Sequence, residues 1–309
     1  MTQQPKGLAK LWREIKRPFK QLRQGVRKFV RGLTGYYDLH TELHNELHEL
    51  RNELRHELRD LHQGSSNLHN DLHIKYEALH NDLFQDLTGF IQRSISTAIL
   101  HQKTFSRYKN IHQGQEIVLV ATGPTAKDYK RIDGAIHIGV NRAFQFDGID
   151  LHYLFMQDYG VKPYIKEANQ YKPESCTKFY GMLDTMPEIL IPESDVIEAN
   201  ALRYRTDFTP DGKYQYQFRY FIDSEQLGDY TSVIFPAIQF ALWTNPRTIY
   251  LVGCDCTKGY FDGQASVYSA SHLIPAWHQL KEFARVYYPE TKILSINPVG
   301  LKGIFDERE

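Results

Sequence analysis

Five polar stretches in this sequence could carry chemistry. Thr122-Gly123-Pro124-Thr125 follows an apolar run at 116–121. A glycine there lets backbone approach a phosphate, and a helix starting at that point would favour an anion. The turn is neither G-x-G-x-x-G nor a P-loop, so a plain tight turn accounts for it equally well. Asn141-Arg142 ends a second run, Gln157-Asp158 a third, and Cys254-Asp255-Cys256 a fourth. Each tip alone is explained as a capping residue. Four polar tips at one edge of a single sheet point to a ligand site. His272 opens the last helical stretch, where an imidazole can act as a general base or make a structural hydrogen bond. His278 faces another side of that stretch and reads as structural.

The elements that must hold these tips are short apolar runs at 116–121, 135–140, 151–156, 248–253 and 293–296, read as buried strands. Helical patterns lie at 232–243 and 275–287. Strands alternating with helices predict an α/β fold, a mostly parallel Rossmann-like sheet with helices on both faces. Ligands are then expected at the carboxyl ends of the strands. Residues 184–230 are rich in Pro, Tyr and charge, and read as an insertion or lid over the site.

Charge is segregated along the 309 residues although it sums to zero. Residues 1–35 carry about +9, residues 36–113 about −3 and residues 114–309 about −6. The body therefore lacks the basic clusters of a nucleic-acid binder. Cys176, Cys254 and Cys256 make no disulfide framework, and the C-x-C pair lacks the partners of a zinc site. The expectation is a reducing, cytoplasmic compartment. No run reaches the roughly 18 apolar residues of a transmembrane helix, and no secretory signal is legible.

The first 110 residues read as an arm. In 1–35 a Leu/Trp/Ile/Phe/Val stripe faces a Lys/Arg stripe, the composition of a peripheral membrane-surface helix, with Pro18 as a kink. A helix packing on its own domain with a solvated basic face fits the same pattern. From Leu39 to Leu61 leucines recur at steps 4-4-3-4-4-3, an eleven-residue repeat that predicts a straight or slightly right-handed coiled coil over 36–110. Register survives Gly64-Ser65-Ser66, which favours one continuous helix over a hairpin. So narrow a seam needs a partner helix, hence a homo-oligomer. His40, His44 and His48 share a face, but they flank the seam and alternate with Glu, so a solvated flank explains them better than a metal site.

The order of motifs resembles that of the bacterial lipooligosaccharide sialyltransferases and the motility-accessory-factor group that modifies flagellin. VLVATGPT at 118–125 with IGVNRAF at 138–144, DYTSVIFPAIQFALWTNPRTIYLVGCDC at 229–256, and SHLIPAWHQLKEFARVYYPETKILSINPVGL at 271–301 carry the resemblance. It covers about residues 115–305 and leaves out the arm. The resemblance implies a glycosyltransferase domain over 114–309. It makes His272 the catalytic base, with Thr122, Gly123, Thr125, Asn141, Thr231, Ser232 and Asp255 around the nucleotide. Asp158 and Tyr260 are further candidates for sugar or phosphate contact. The implied reaction is inverting and metal-independent transfer from a nucleotide sugar, with no cofactor and no metal. The implied donor is cytidine-monophosphate-linked. The sequence departs from the group's pattern at Thr257, where a Tyr is expected and Tyr260 is the stand-in, and at Asp229, where a base is expected. The segment between Asp255 and His272 is also shorter. The donor sugar therefore widens to a sialic-acid-like nonulosonic acid or another activated sugar, and the acceptor to a surface glycan or protein. The competing readings are a pterin pyrophosphokinase-like enzyme, which would need a metal, and a membrane-tethered coiled-coil scaffold. With the basic tip, the enzyme reading places the protein on the inner face of the membrane.

Overall fold

Strands that read as unbroken apolar runs pair in parallel, because a parallel sheet is covered on both faces. The strands are β1 (Glu116–Val120), β2 (Ile136–Val140), β3 (Tyr153–Met156), β4 (Thr177–Met182), β5 (Leu202–Arg205), β6 (Thr248–Val252), β7 (Lys292–Ile296) and β8 (Asp306–Arg308). In this computed structural model they form one sheet, in the order β5-β4-β3-β2-β1-β6-β7-β8, with every pair parallel. The helices are α1 (Ser66–Phe105), α2 (Ile165–Gln170), α3 (Glu193–Glu198), α4 (Ile234–Trp243) and α5 (Ile274–Tyr287). The structure describes residues 21–22, 42–53, 66–157, 163–183, 190–207, 218–264 and 269–308. The α/β expectation holds.

Alternation along the strands sorts the core into two layers. Ile117, Leu119, Ile138, Phe155, Phe179 and Tyr204 turn to the face covered by α4, α5 and the end of α1. Val118, Val120, Leu154, Met156, Tyr180 and Val252 turn to the other face. That second face is covered by α2, α3 and the 3₁₀ turns after β1 and β2 rather than by long helices. Helix α4 is buried at all ten positions. Its one long polar residue, Gln239, donates to Gly228 O (2.7 Å) and Phe235 O (2.8 Å) and accepts from Arg219 N–H (3.0 Å). The buried amide is thus satisfied, and it binds the 219–228 segment to the helix.

Two sequence expectations change in this domain. Residues 202–205, inside the stretch read as a lid, form the edge strand β5. Tyr204 explains this, for its ring is fully buried 5.5 Å from that of Phe155. Residues 184–189 and 208–217 of that stretch lie outside the described residues. The arm also ends earlier than 110, because the chain divides into compact units at 95/96. Ala98, His101, Phe105 and Tyr108 are buried in the α/β unit. His101 Nδ1 donates to Ile222 O (2.8 Å) and Nε2 accepts Arg205 N–H (2.7 Å), fixing the last turns of α1 beside β5.

In the first unit, residues 42–53 are helical. Leu43 and Leu47 are buried in one cluster with Ile91, with Leu22, Leu87, Phe90 and Ile95 packed against it. One continuous helix would hold Leu47 and Ile91 roughly 65 Å apart at 1.5 Å per residue. The expectation of a continuous helix is therefore corrected: the two stretches lie side by side. Leu43 and Leu47 of the leucine seam thus pack on residues 87–95 of the same chain. Residues 54–65, with Gly64, lie outside the described residues, and so does the basic stretch 1–35 apart from 21–22. Among the described residues no helix is long and apolar enough to cross a membrane.

Candidate active site

Strand order reverses between β1 and β6, and their carboxyl ends form the floor of a cleft. In an open parallel sheet the loops diverge at such a point and leave a crevice. The two loops touch backbone to backbone before they part. Ala121 N–H bonds Val252 O (2.8 Å) and Gly123 N–H bonds Gly253 O (2.9 Å). A Cβ on Gly123 would fall 2.5 Å from Asp255 Oδ2 and onto Gly253 O. A Cβ on Gly253, whose φ is +65°, would fall 2.7 Å from Ala121 O. Both positions need glycine.

Asp255, 3% exposed, lies under this contact. Its carboxylate accepts Thr125 N–H (2.8 Å) and the Thr125 hydroxyl. Thr125 therefore has no donor left for a phosphate; it and Asp255 hold the turn in shape. The turn leads into a five-residue 3₁₀ stretch, Pro124–Asp128. The expected helix N-terminus behind Gly123 is thus absent, because Pro124 and the Asp255 bonds hold a tighter turn. The longer helices that begin at the cleft are α4 and α5.

The cleft is open to solvent and has a volume of ≈ 160 Å³. It brings together Thr122, Gly123, Asn141, Ser232, Asp255 and Tyr260 of the candidate residues, along with Thr257. Asn141 adopts the left-handed conformation (φ 48°). Its Oδ1 is buried with no hydrogen-bond partner among the described residues. A buried amide oxygen without a donor carries a desolvation cost that a ligand donor would offset.

Thr231 and His272 meet at the rim. Tyr230 (φ 48°) and Thr231 (φ 66°) are consecutive left-handed residues, a strained pose for a β-branched side chain. Asp229 holds them there: its Oδ1 accepts Thr231 N–H (3.0 Å), its backbone carbonyl accepts Ser232 N–H (2.7 Å), and its Oδ2 accepts Gln157 Nε2–H (2.7 Å). Thr231 Oγ1 lies 2.5 Å from Tyr230 O and 3.2 Å from His272 Nε2. His272 Nδ1 is 3.2 Å from Ser269 O. A carbonyl only accepts, so Nδ1–H donates to Ser269 O, while Thr231 has one hydroxyl proton to give, either to Tyr230 O or to Nε2. His272 is exposed, between the cleft-lining residues Ala270 and Leu273. Asp158 lies outside the described residues.

Arg142 and Gln157, legible in the sequence only as polar strand tips, and Asp229, legible only as a departure from the group's pattern, are tied to the site by their hydrogen bonds. Arg142 pairs with Asp262 of the loop that walls the cleft. Behind Asp229, Asp207 is pushed up to about 6 by burial, although Arg219 Nη2 lies 3.1 Å from it. Cys254 and Cys256 line the cleft as thiols, both raised by burial, Cys256 to about 11. Neither is the thiolate a nucleophile requires. Among the described residues no group of three His, Cys, Asp or Glu is placed to hold a metal ion.

No family profile and no curated protein matches the sequence. Solved structures are similar to it, and two of them are of known kind. One is the MAf glycosyltransferase of Magnetospirillum magneticum AMB-1, with 17% identity and a TM-score of 0.42; the match covers 73% of this chain and 41% of that one. The other is the sialyltransferase CstII of Campylobacter jejuni, whose structure holds the substrate analogue CMP-3FNeuAc. There the identity is 12% and the TM-score 0.37, over 63% of this chain and 86% of that one. These two are of the kinds whose motif order the sequence resembles. The chain spans less than half the length of the first.

Proposed function

We propose that the α/β domain is a glycosyltransferase that uses a nucleotide sugar, cytidine-monophosphate-linked and carrying a nonulosonic or other activated sugar. The observation behind this reading is the pairing, at one cleft, of an unpartnered acceptor with a proton acceptor. In this reading Asn141 Oδ1 takes a donor from the nucleotide, and His272 Nε2 takes the acceptor hydroxyl's proton, supported by the unpartnered Oδ1 and by the Nδ1 contact with Ser269 O. As that oxygen attacks the anomeric carbon, the bond to phosphate breaks and the nucleoside monophosphate leaves with the electron pair. Attack opposite the leaving group inverts the centre. At the start of α4 the N–H groups of the cleft-lining Val233 and Ile234 are the ones left for the departing phosphate, because Ser232 N–H bonds Asp229 O, Phe235 N–H bonds Ser232 O and Pro236 has none. Thr125 and Asp255 keep the floor rigid. No metal and no cofactor enters this scheme.

Calorimetric titration with cytidine monophosphate tests the binding half. Wild type should bind, and Asn141→Ala should bind about tenfold more weakly. Release of the monophosphate from a nucleotide sugar, with and without chelator, tests the chemistry. Wild type that binds no nucleotide sinks the reading, and strict metal dependence moves it to pyrophosphoryl transfer. The partners proposed for the arm are an anionic membrane surface at residues 1–35 and a second copy of the chain through 36–110, with the enzyme on the inner face of the membrane. Equal liposome flotation by the full chain and a chain starting at Tyr36 would remove the membrane.

A further inference from the structure

Loop 257–264 walls the cleft through Thr257, Gly259 and Tyr260. Gly259 (φ 96°) and Gly263 (φ 80°) let it double back, so that Tyr260 N–H bonds Gln264 O (3.0 Å) and Gly263 N–H bonds Tyr260 O (3.0 Å). Phe261 N–H bonds Thr122 O (3.0 Å). The side chain that grips the tip of the loop is Arg142. Its Nη2 pairs with Asp262, Nη1 donates to Gln264 Oε1 (3.1 Å) and Nε donates to Gln145 Oε1 (3.1 Å). The guanidinium lies 4.6 Å from the Tyr164 ring centre, 5.5 Å from Tyr260 and 5.9 Å from Phe261.

The side chain of Arg142 is 12% exposed. A guanidinium held among aromatic rings and partly desolvated is a stiff receptor for a planar or tetrahedral anion. It directly follows Asn141, whose amide oxygen lacks a partner. Among the described residues that line the cleft there is no Lys or Arg, and the floor carries Asp255. An anionic ligand entering the cleft therefore meets at the rim, among the described residues, the seated cation Arg142, with a carboxylate already on it. Lys258 is exposed on the same loop and has no such seat.

We propose that Asp262 occupies the place of a ligand's anionic group, and that Arg142 exchanges it for the phosphate or the sugar carboxylate of the nucleotide sugar. Arg142 then sets the site's preference for acidic ligands. This rests on the nucleotide-sugar reading above.

The test is the direction of two substitutions, read by titration with cytidine, cytidine monophosphate and cytidine-monophosphate-linked sialic acid. Asp262→Asn removes the competitor and should tighten the anionic ligands severalfold. Arg142→Gln should weaken them by about tenfold or more. Neither should change cytidine, and Lys258→Gln, a control for charge alone, should change little. An effect arising between cytidine and its monophosphate assigns the phosphate; one arising only with the sialic acid assigns the carboxylate. If both substitutions shift affinity in the same direction, Arg142 only scaffolds the loop, and the exchange is wrong while the nucleotide reading stands. If wild type binds none of the three, both readings fall.

Discussion

Thr125 and Asp255, 130 residues apart in the chain, meet through two hydrogen bonds that fasten the loop after β1 to the loop after β6. Asp255→Ala strands a backbone N–H and a hydroxyl and should cost about 3 kcal/mol, or roughly 10 °C in Tm. Asp255→Asn keeps one acceptor and should cost about 1 kcal/mol. Thermal unfolding of the full chain checks the order, and nucleotide affinity should fall in parallel.

Two glycines should respond with opposite signs. At Gly123 a methyl group collides with backbone and with Asp255, so Gly123→Ala should destabilise by about 2 kcal/mol or more and abolish ligand binding. Gly89 lies inside α1, where the nearest atom to a Cβ would be Arg93 Nη1 at 3.7 Å. Gly89→Ala should stabilise by about 1 kcal/mol. Urea midpoints of the two variants against wild type settle both.

His272→Ala should lower turnover by roughly 10²–10⁴-fold while leaving the Kd for cytidine monophosphate unchanged. Thr231→Val removes the hydroxyl that faces Nε2 and should lower turnover less, about tenfold, because the Ser269 carbonyl still fixes the ring. Single-turnover rates beside calorimetric Kd values separate these effects. Normal turnover in His272→Ala would take the base out of the mechanism.

Stability should fall as pH drops below neutrality. His101 is pushed down to about 4 by burial, and His137 to about 4 by burial and by His152 and Arg131 nearby. Above about pH 6.5 both are neutral whether folded or unfolded. Between about 6.5 and 4 the unfolded chain binds protons that the fold refuses, so each histidine removes up to about 1.4 kcal/mol per pH unit. Asp207 opposes this. With its folded pKa raised to about 6, it takes a proton between about 6 and 3.8 that the unfolded chain does not. Between pH 7.5 and 5, urea unfolding should show a smaller loss for His101→Gln than for wild type and a larger loss for Asp207→Asn.

Spin labels at Glu46 and Gln92, both exposed, should report a separation far below the roughly 69 Å of a continuous helix. Dilution with unlabelled protein distinguishes packing within one chain from packing between two. A short distance that vanishes on dilution would move the contact to an oligomer.

The sequence made the centre of the sheet legible and its margins obscure. β1, β2, β3, β6 and β7 are runs of apolar residues because both faces are covered, and α4 and α5 carry readable patterns. β4 hides behind Lys178, buried with its ammonium donating to Asn169 O (3.1 Å). β8 is Asp306-Glu307-Arg308, exposed at all three positions, and only its pairing with β7 makes it a strand. At the site, Asn141, Asp255 and His272 could be noticed because strand ends and helix starts mark them. Arg142 with Asp262 and Gln157 with Asp229 could not, for their partners lie 120 and 72 residues away on loops with no periodicity. The side-by-side packing in the arm was hidden for a related reason: a seam that keeps register reads the same in a straight rod and in two packed halves.

The position of β1 also fixes the order in which the domain can assemble. As the chain emerges from its N-terminal side, β1 meets β2 soon after it is made, and β3, β4 and β5 extend that half of the sheet. The other edge of β1, with Ile117, Val118, Leu119 and Val120, waits roughly 130 residues for β6. Until then it is an unpaired apolar template on which a second nascent chain can pair. Gly253 and Asp255 arrive together with β6, so the cleft comes into existence in the same event that seals this edge. Ligand binding therefore reports a finished sheet, and slow refolding with loss to aggregates at high protein concentration is the expected signature of that delay.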